Sequence, residues 1–144
     1  MSQLRDFLDT PKRKLFYHAL ISPHLTYASI VWDGCSDILF NKLNSLHKRA
    51  AKLMISDYSL TTDTKLLYLG LLPLKEKLMF NKAVLGFKAY RNLAPPYLKQ
   101  LFIYSNTRAT SEFITLPKPR TDLFKTNFSF SGASLWNTIP SQIK

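Results

Sequence analysis

The sequence predicts a mainly α-helical protein, a small bundle of about five to six helices with an extended, partly irregular C-terminal segment. Three observations predict it. Apolar residues recur at helical spacing through Ser36–Ile55, and a second long helical run opens at Pro73. Hydrophobic residues make up 46% and aromatic residues 13% of the 144, enough to build a core and too many for a disordered chain. Beyond residue 104, helical spacing gives way to Pro117, Pro119 and scattered Thr, Ser and Phe. The chain reads as one domain or part of one, with a helical domain over 1–103 and an extended segment over 104–144 that ends in a short helix.

The first element is the run LFYHALISPHLTYASIVW, Leu15–Trp32, which holds no Asp, Glu, Lys or Arg and follows Lys12, Arg13 and Lys14. As a membrane span it fits poorly. Roughly 18 residues at about 1.5 Å each barely cross a core of about 30 Å. His18, Ser22, Pro23, His24, Thr26 and Ser29 each cost free energy in lipid. Two buried helices are expected instead, broken near Ser22-Pro23 because proline removes a backbone donor and disfavours helix before it. Thr10 caps the first, with Pro11 at its first position. Leu15, Phe16, Ala19 and Leu20 form its apolar stripe. Leu25, Ala28, Ile30, Val31 and Trp32 supply core to the second, which Gly34 ends. Upstream, Leu4, Phe7 and Leu8 suffice for a short docked helix.

The clearest helix is Ser36–Ile55, capped by Ser36 with Asp37 in its first turn. Leu39, Leu43, Leu46, Ala50 and Leu53 fall within an arc of about 80°, an apolar seam. Lys42, Lys48, Arg49 and Lys52 fall in an adjacent arc of about 120°, beside Asn41 and Ser45. No acid lies between Asp37 and Asp57, so these cations lack i,i+4 partners. Such a stripe suits a phosphate backbone, although lysines on a helix commonly face water.

Thr62–Leu69 reads as a short helix capped by Thr61 or Thr62 and stopped by Gly70. Pro73 opens the next, to about Asn92, whose apolar residues point nearly all round and predict packing on several sides. Ala94-Pro95-Pro96 ends it and starts a turn or two over Tyr97–Ile103. Arg108–Arg120 reads as extended, with edge pairing. Phe124, Phe128 and Phe130 anchor the tail, and a last helix, Gly132–Thr138, buries Leu135 and Trp136.

The net charge is +11, from 20 Lys and Arg against 9 acids spread along the chain. That excess repels itself and favours a polyanion, with nucleic acid first and an anionic membrane second. The four glycines argue against a phosphate loop, and the single Cys35 excludes an internal disulfide and a cysteine zinc site. The start MSQLRDFLDT carries charge where a signal peptide is apolar, so an intracellular place, nuclear or cytoplasmic and not secreted, is expected. His18 and His24 lack a Cys or carboxylate at ligand spacing, and His47 is expected to pack. Asp33, Asp37, Asp57 and Asp63 are dispersed and suit caps and turns, whereas a two-metal site needs clustered carboxylates. No catalytic residue, metal or cofactor is expected.

Several stretches in order carry a resemblance: LFYHALISPHLTYASIVWDG, FNKLNSLHKRAAKLMI, LGLLPLKEKLMFNKAVLGFKAYRNLAPPYL, and TRATSEFITLPKPRTDLFKTNFSFSGASLWNTIPSQI. Together they resemble the region after the polymerase palm in non-LTR (LINE-type) retrotransposon reverse transcriptases. Phe130-Ser131-Gly132, Leu135-Trp136-Asn137 and Ile139-Pro140 are the most telling pieces. The likeness runs from about Lys12 to Lys144. It implies a thumb-like helical domain and C-terminal extension that grips template–primer backbone. The family's aromatic-x-Asp-Asp polymerase motif is absent, so no enzyme is expected. The implied partners are RNA, DNA or an RNA–DNA hybrid through phosphates at Lys42, Lys48, Arg49 and Lys52, and the missing palm, with no membrane. The alternative is a protein-interaction module, or a transposon relic with no binding activity of its own.

Overall fold

The structure, a computed structural model, describes residues 7–55, 57, 59–104, 113–140 and 142. It is mainly helical. In order it holds α1 (Thr10–Phe16), a π-helical turn (Tyr17–Ile21), α2 (Ser22–Thr26), α3 (Ser29–Trp32), α4 (Asp37–Met54), α5 (Thr62–Tyr68), α6 (Leu74–Tyr90) and α7 (Pro96–Gln100). Then follow β1 (Ile103–Tyr104), β2 (Ile114–Thr115), α8 (Asp122–Thr126) and α9 (Phe128–Thr138). Contacts group the chain into two compact units. Residues up to Ser29 join Cys35–Lys77 in one, and Ile30–Gly34 join the chain from Leu78 onward in the other. Residues 78–103 and 104–144 thus fall in the same unit.

In the first unit, Asp9 rather than Thr10 caps α1, its carboxylate accepting from the Lys12 amide. The expected break at Ser22-Pro23 does not occur. The Ser22 amide bonds back to the Tyr17 carbonyl, and this wider turn leaves Pro23 in the first turn of α2, where no donor is missed. The chain turns instead at Tyr27-Ala28, where Ala28 sits at φ 48°, a left-handed conformation that costs a Cβ-bearing residue about 1–2 kcal/mol. The expected stripe is overturned too. Leu15 and Leu20 are exposed, as is Ala19, while Tyr17, Ser22 and Leu25 are buried. Their spacing straddles the π turn, which rotates the inward face away from the one an unbroken 3.6 period draws. Past the turn, Leu25 is core and Ile30 is half-buried, but Ala28 and Val31 are exposed.

The core of this unit gathers Tyr17, Ala50, Ala51, Met54, Leu66 and Leu69, with Ile55 and Leu71 beside them. Helix α5 is capped by the Thr61 hydroxyl on the Thr64 amide. It ends on Gly70 at φ 63°, with Leu71 N–H on Leu66 O at 2.8 Å and Gly70 N–H on Leu67 O at 2.9 Å. That is a Schellman ending, which requires the left-handed residue that glycine supplies freely.

Helix α6 buries one narrow stripe, Leu74, Leu78, Lys82, Gly86 and Ala89. Packing on all sides is therefore not what forms: Met79 and Phe80 are exposed. The helix closes on Asn92 at φ 57° with the same bond pattern as α5. In the second unit, Phe102, Ile114, Phe128, Ala133 and Trp136 form a core with Ala89. Ile103, expected in a helical turn, is in β1, which pairs antiparallel with β2 in the register Ile103 with Thr115 and Tyr104 with Ile114. The part of the expected extended run at 108–112 lies outside the described residues, as does Leu4. The last helix starts at Phe128, earlier than Gly132, because the Asn127 side chain caps it on the Ser129 amide. Trp136 and Phe128 are buried, whereas Leu135, Phe124 and Phe130 are half-buried.

Gly132 has a packing reason. A Cβ there would lie 2.7 Å from the Phe128 ring and 3.3 Å from that of Phe102. A Cβ on Gly34 would collide with Thr126.

Candidate nucleic-acid interface

Helix α4 forms as its sequence directs, with Ser36 at the cap position and Asp37 in the first turn, although the Ser36 side chain makes no cap hydrogen bond. Its inward face differs from the expected seam. The buried residues are His47, Ala50, Ala51 and Met54. Leu39 and Leu46 are 53% and 57% exposed, and Leu43 and Leu53 are half-buried. At 100° per residue the buried face is rotated by about 70° from the leucine seam.

The reason for the rotation is a polar pair. The Tyr17 hydroxyl lies 2.8 Å from His47 Nδ1, and His47 Nε2 lies 3.1 Å from the Leu72 carbonyl. A carbonyl only accepts, so Nε2 carries the proton and Nδ1 accepts from Tyr17. Burial pushes the Tyr17 phenol up to about 12, which keeps it a donor. Burial also lowers the His47 pKa, and Lys77 and Lys48 add to that, against the Leu72 hydrogen bond that raises it. His47 was expected to do no more than pack; it also fixes the roll of α4.

The four cations of the stripe do not share one environment. Lys42, Arg49 and Lys52 are exposed, and among the described residues none has a carboxylate partner. Lys48 is half-buried and lies 3.6 Å from Asp63 of α5, a pairing that only the turn between the helices creates. Other cations are used inside the fold. Arg13 donates to the carbonyls of Leu53 and Met54 at 3.3 and 2.9 Å, and buried Lys65 donates to that of Ile55 at 3.3 Å. Both thereby satisfy carbonyls that the end of α4 leaves open. Lys77 donates to Ser22 Oγ at 2.7 Å, and burial lowers its pKa. Lys82 is buried and ion-paired with Asp33.

Arg49 also lines a groove of about 530 Å3, whose wall on α4 is Leu43, Leu46, Ala50 and Leu53. The expected apolar seam thus faces an opening instead of the core.

The dispersed acids mostly do what was expected, with one exception. Asp37 and Asp63 stand in first turns, and Asp57 accepts from the Ser59 hydroxyl and amide, which hold its carboxyl below the usual range. Asp33 instead neutralises Lys82. Among the described residues no three His, Cys, Asp or Glu side chains converge as metal ligands, and no helix is long and apolar enough to cross a membrane. His18 and His24 are exposed, and Cys35 is a free, half-buried thiol. Burial, then Lys77 and Lys14, lower the His18 pKa.

Compared with known proteins, the chain matches no family model, no curated protein and no solved structure.

Proposed function

We propose that this protein binds nucleic acid through phosphates, with α4 as the contact helix and Lys42, Arg49 and Lys52 as the main cations. Lys48 stands beside them and divides its charge with Asp63. One observation carries the reading: three exposed cations line one helix face with no carboxylate against them among the described residues, while Arg13, Lys65, Lys77 and Lys82 are used internally. Point charges on flexible stems contact backbone and carry little sequence information, so affinity should depend steeply on salt and weakly on sequence. The resemblance to the thumb region of non-LTR retrotransposon reverse transcriptases supports the same reading and makes an RNA–DNA hybrid the first ligand to try. Without the aromatic-x-Asp-Asp motif, the role is a grip and not polymerisation. An intracellular site of action, nuclear or cytoplasmic, goes with such a ligand.

The test is a titration of the chain against a short RNA–DNA hybrid at low and moderate salt, alone and with Lys42, Arg49 and Lys52 all changed to Glu. Binding by the parent that weakens with salt and is abolished in the variant, with unchanged helicity by circular dichroism, is the expected result. Equal affinity in the two proteins overturns the proposal.

A further inference from the structure

The groove beside the stripe has an apolar floor and one basic rim. Its second wall is Leu20, Ile21, His24 and Leu25, with Leu20 52% exposed, facing the leucines of α4. Arg49 belongs to the lining, and Lys42 and Lys52 lie on the same side of α4. Among the described residues no carboxylate lines it, and its one ring is the His24 imidazole.

Those features decide among occupants. Nucleic-acid bases bind shallow grooves by stacking on successive rings, and this mostly aliphatic lining offers only the His24 imidazole. A second copy of the chain would bring another net charge of +11 against the same rim. The spacing of the α4 wall suits a helix. Leu43, Leu46, Ala50 and Leu53 recur at 3, 4 and 3, the spacing that receives the apolar stripe of a partner helix, over about 15 Å of rise. Lys42, Arg49 and Lys52 stand at rises of about 10 and 5 Å along the rim.

We propose that this groove docks an amphipathic helix of another protein, whose aliphatic stripe fills the floor and whose flanking carboxylates face Lys42, Arg49 and Lys52. The complementary helix carries Asp or Glu on one flank only, recurring about every seven and three residues to match those rises. This site is separate from the nucleic-acid reading except at the shared rim, so either can hold without the other.

The test selects helical peptides on the full chain from a display library. Leucines are fixed at helical spacing, and the flanking positions vary among Glu, Gln and Lys. Glu is expected to enrich on one flank. A selected Glu peptide, followed by fluorescence anisotropy, should lose at least about tenfold in affinity on Leu46→Lys, as an anchor at a groove centre does. Leu46 is exposed, so this variant keeps its helicity, and the added charge leaves its affinity for the hybrid no weaker than the parent's. No enrichment of Glu overturns the proposal. So does a Glu peptide that binds Leu46→Lys undiminished, since it would then sit on the basic stripe alone. A parent dimer that Leu46→Lys dissociates makes the groove a self-contact and equally overturns it.

Discussion

The Tyr17 hydroxyl and His47 Nδ1 meet at 2.8 Å, thirty residues apart in sequence, and this hydrogen bond orients α4 against the π turn. Its consequence is a pH dependence of stability. The folded state holds His47 below its ordinary value of 6.5, chiefly by burial. As pH falls, the unfolded chain takes up the proton first, so stability is full above about pH 6.5 and is lost as pH falls through the folded value. The urea midpoint should therefore be flat above about pH 7 and decline below it. His47→Gln, which keeps an acceptor for Tyr17 and a donor for Leu72, should reduce the slope; the lowered pKa of His18 acts in the same direction and remains in that variant. A slope unchanged in His47→Gln would assign it elsewhere. Tyr17→Phe should cost about 1–3 kcal/mol by leaving Nδ1 buried and unpaired.

In the second unit, Asn137 treats Ile114 as a strand would. Its side-chain oxygen accepts from the Ile114 amide at 3.0 Å, and its side-chain nitrogen donates to the Ile114 carbonyl at 2.8 Å. Asn137→Leu should cost about 1–3 kcal/mol in chemical denaturation, since it strips both groups of Ile114 of a partner. Asn137→Asp should fall between Asn137→Leu and the parent, because the carboxylate accepts but cannot donate.

The ion pair of Lys82 with Asp33 is largely removed from solvent, with the lysine side chain 10% and the aspartate 21% exposed. Asp33→Asn leaves a buried ammonium without its counter-charge. The expected loss is about 3–5 kcal/mol, against near neutrality when Lys82→Met accompanies it. Thermal unfolding of the single and double variants reads the difference.

For the α4 stripe, single substitutions should separate by environment. Lys42→Ala and Lys52→Ala should each reduce the slope of log affinity for the hybrid against log salt by about 1. Lys48→Ala should do less, because Asp63 already draws on that charge. Equal effects at all three positions would mean that the Lys48–Asp63 contact opens on binding.

Helix positions were largely legible in the sequence. The 3.6-residue period of α4, the Thr61 cap and the Gly70 stop of α5, and the Pro73 start of α6 are local signals, and local hydrogen bonds honour them. Faces were less legible. Hydrophobic spacing in α4 points to the leucines, but His47 and two alanines lie inward because a hydrogen-bonded histidine and small side chains let Tyr17 approach. A histidine lying between the two faces of α4 was the available sign of that, and it needed Tyr17 to interpret it. Proline signalled a break that a π turn absorbed, and nothing local marks Ala28 as the left-handed residue.

By itself, the sequence determined the class of fold, the order and approximate ends of its main helices, and a charge excess of which four cations gather on one face of α4. These depend on propensity, capping and period, which act over a few residues. Only the tertiary structure decided which cations remain outside. Arg13 and Lys65 close the end of α4, Lys82 meets Asp33 and Lys48 meets Asp63, all through contacts between residues distant in sequence. Composition weighs every lysine alike, whereas folding separates those that neutralise carbonyls and carboxylates from those left to meet a partner.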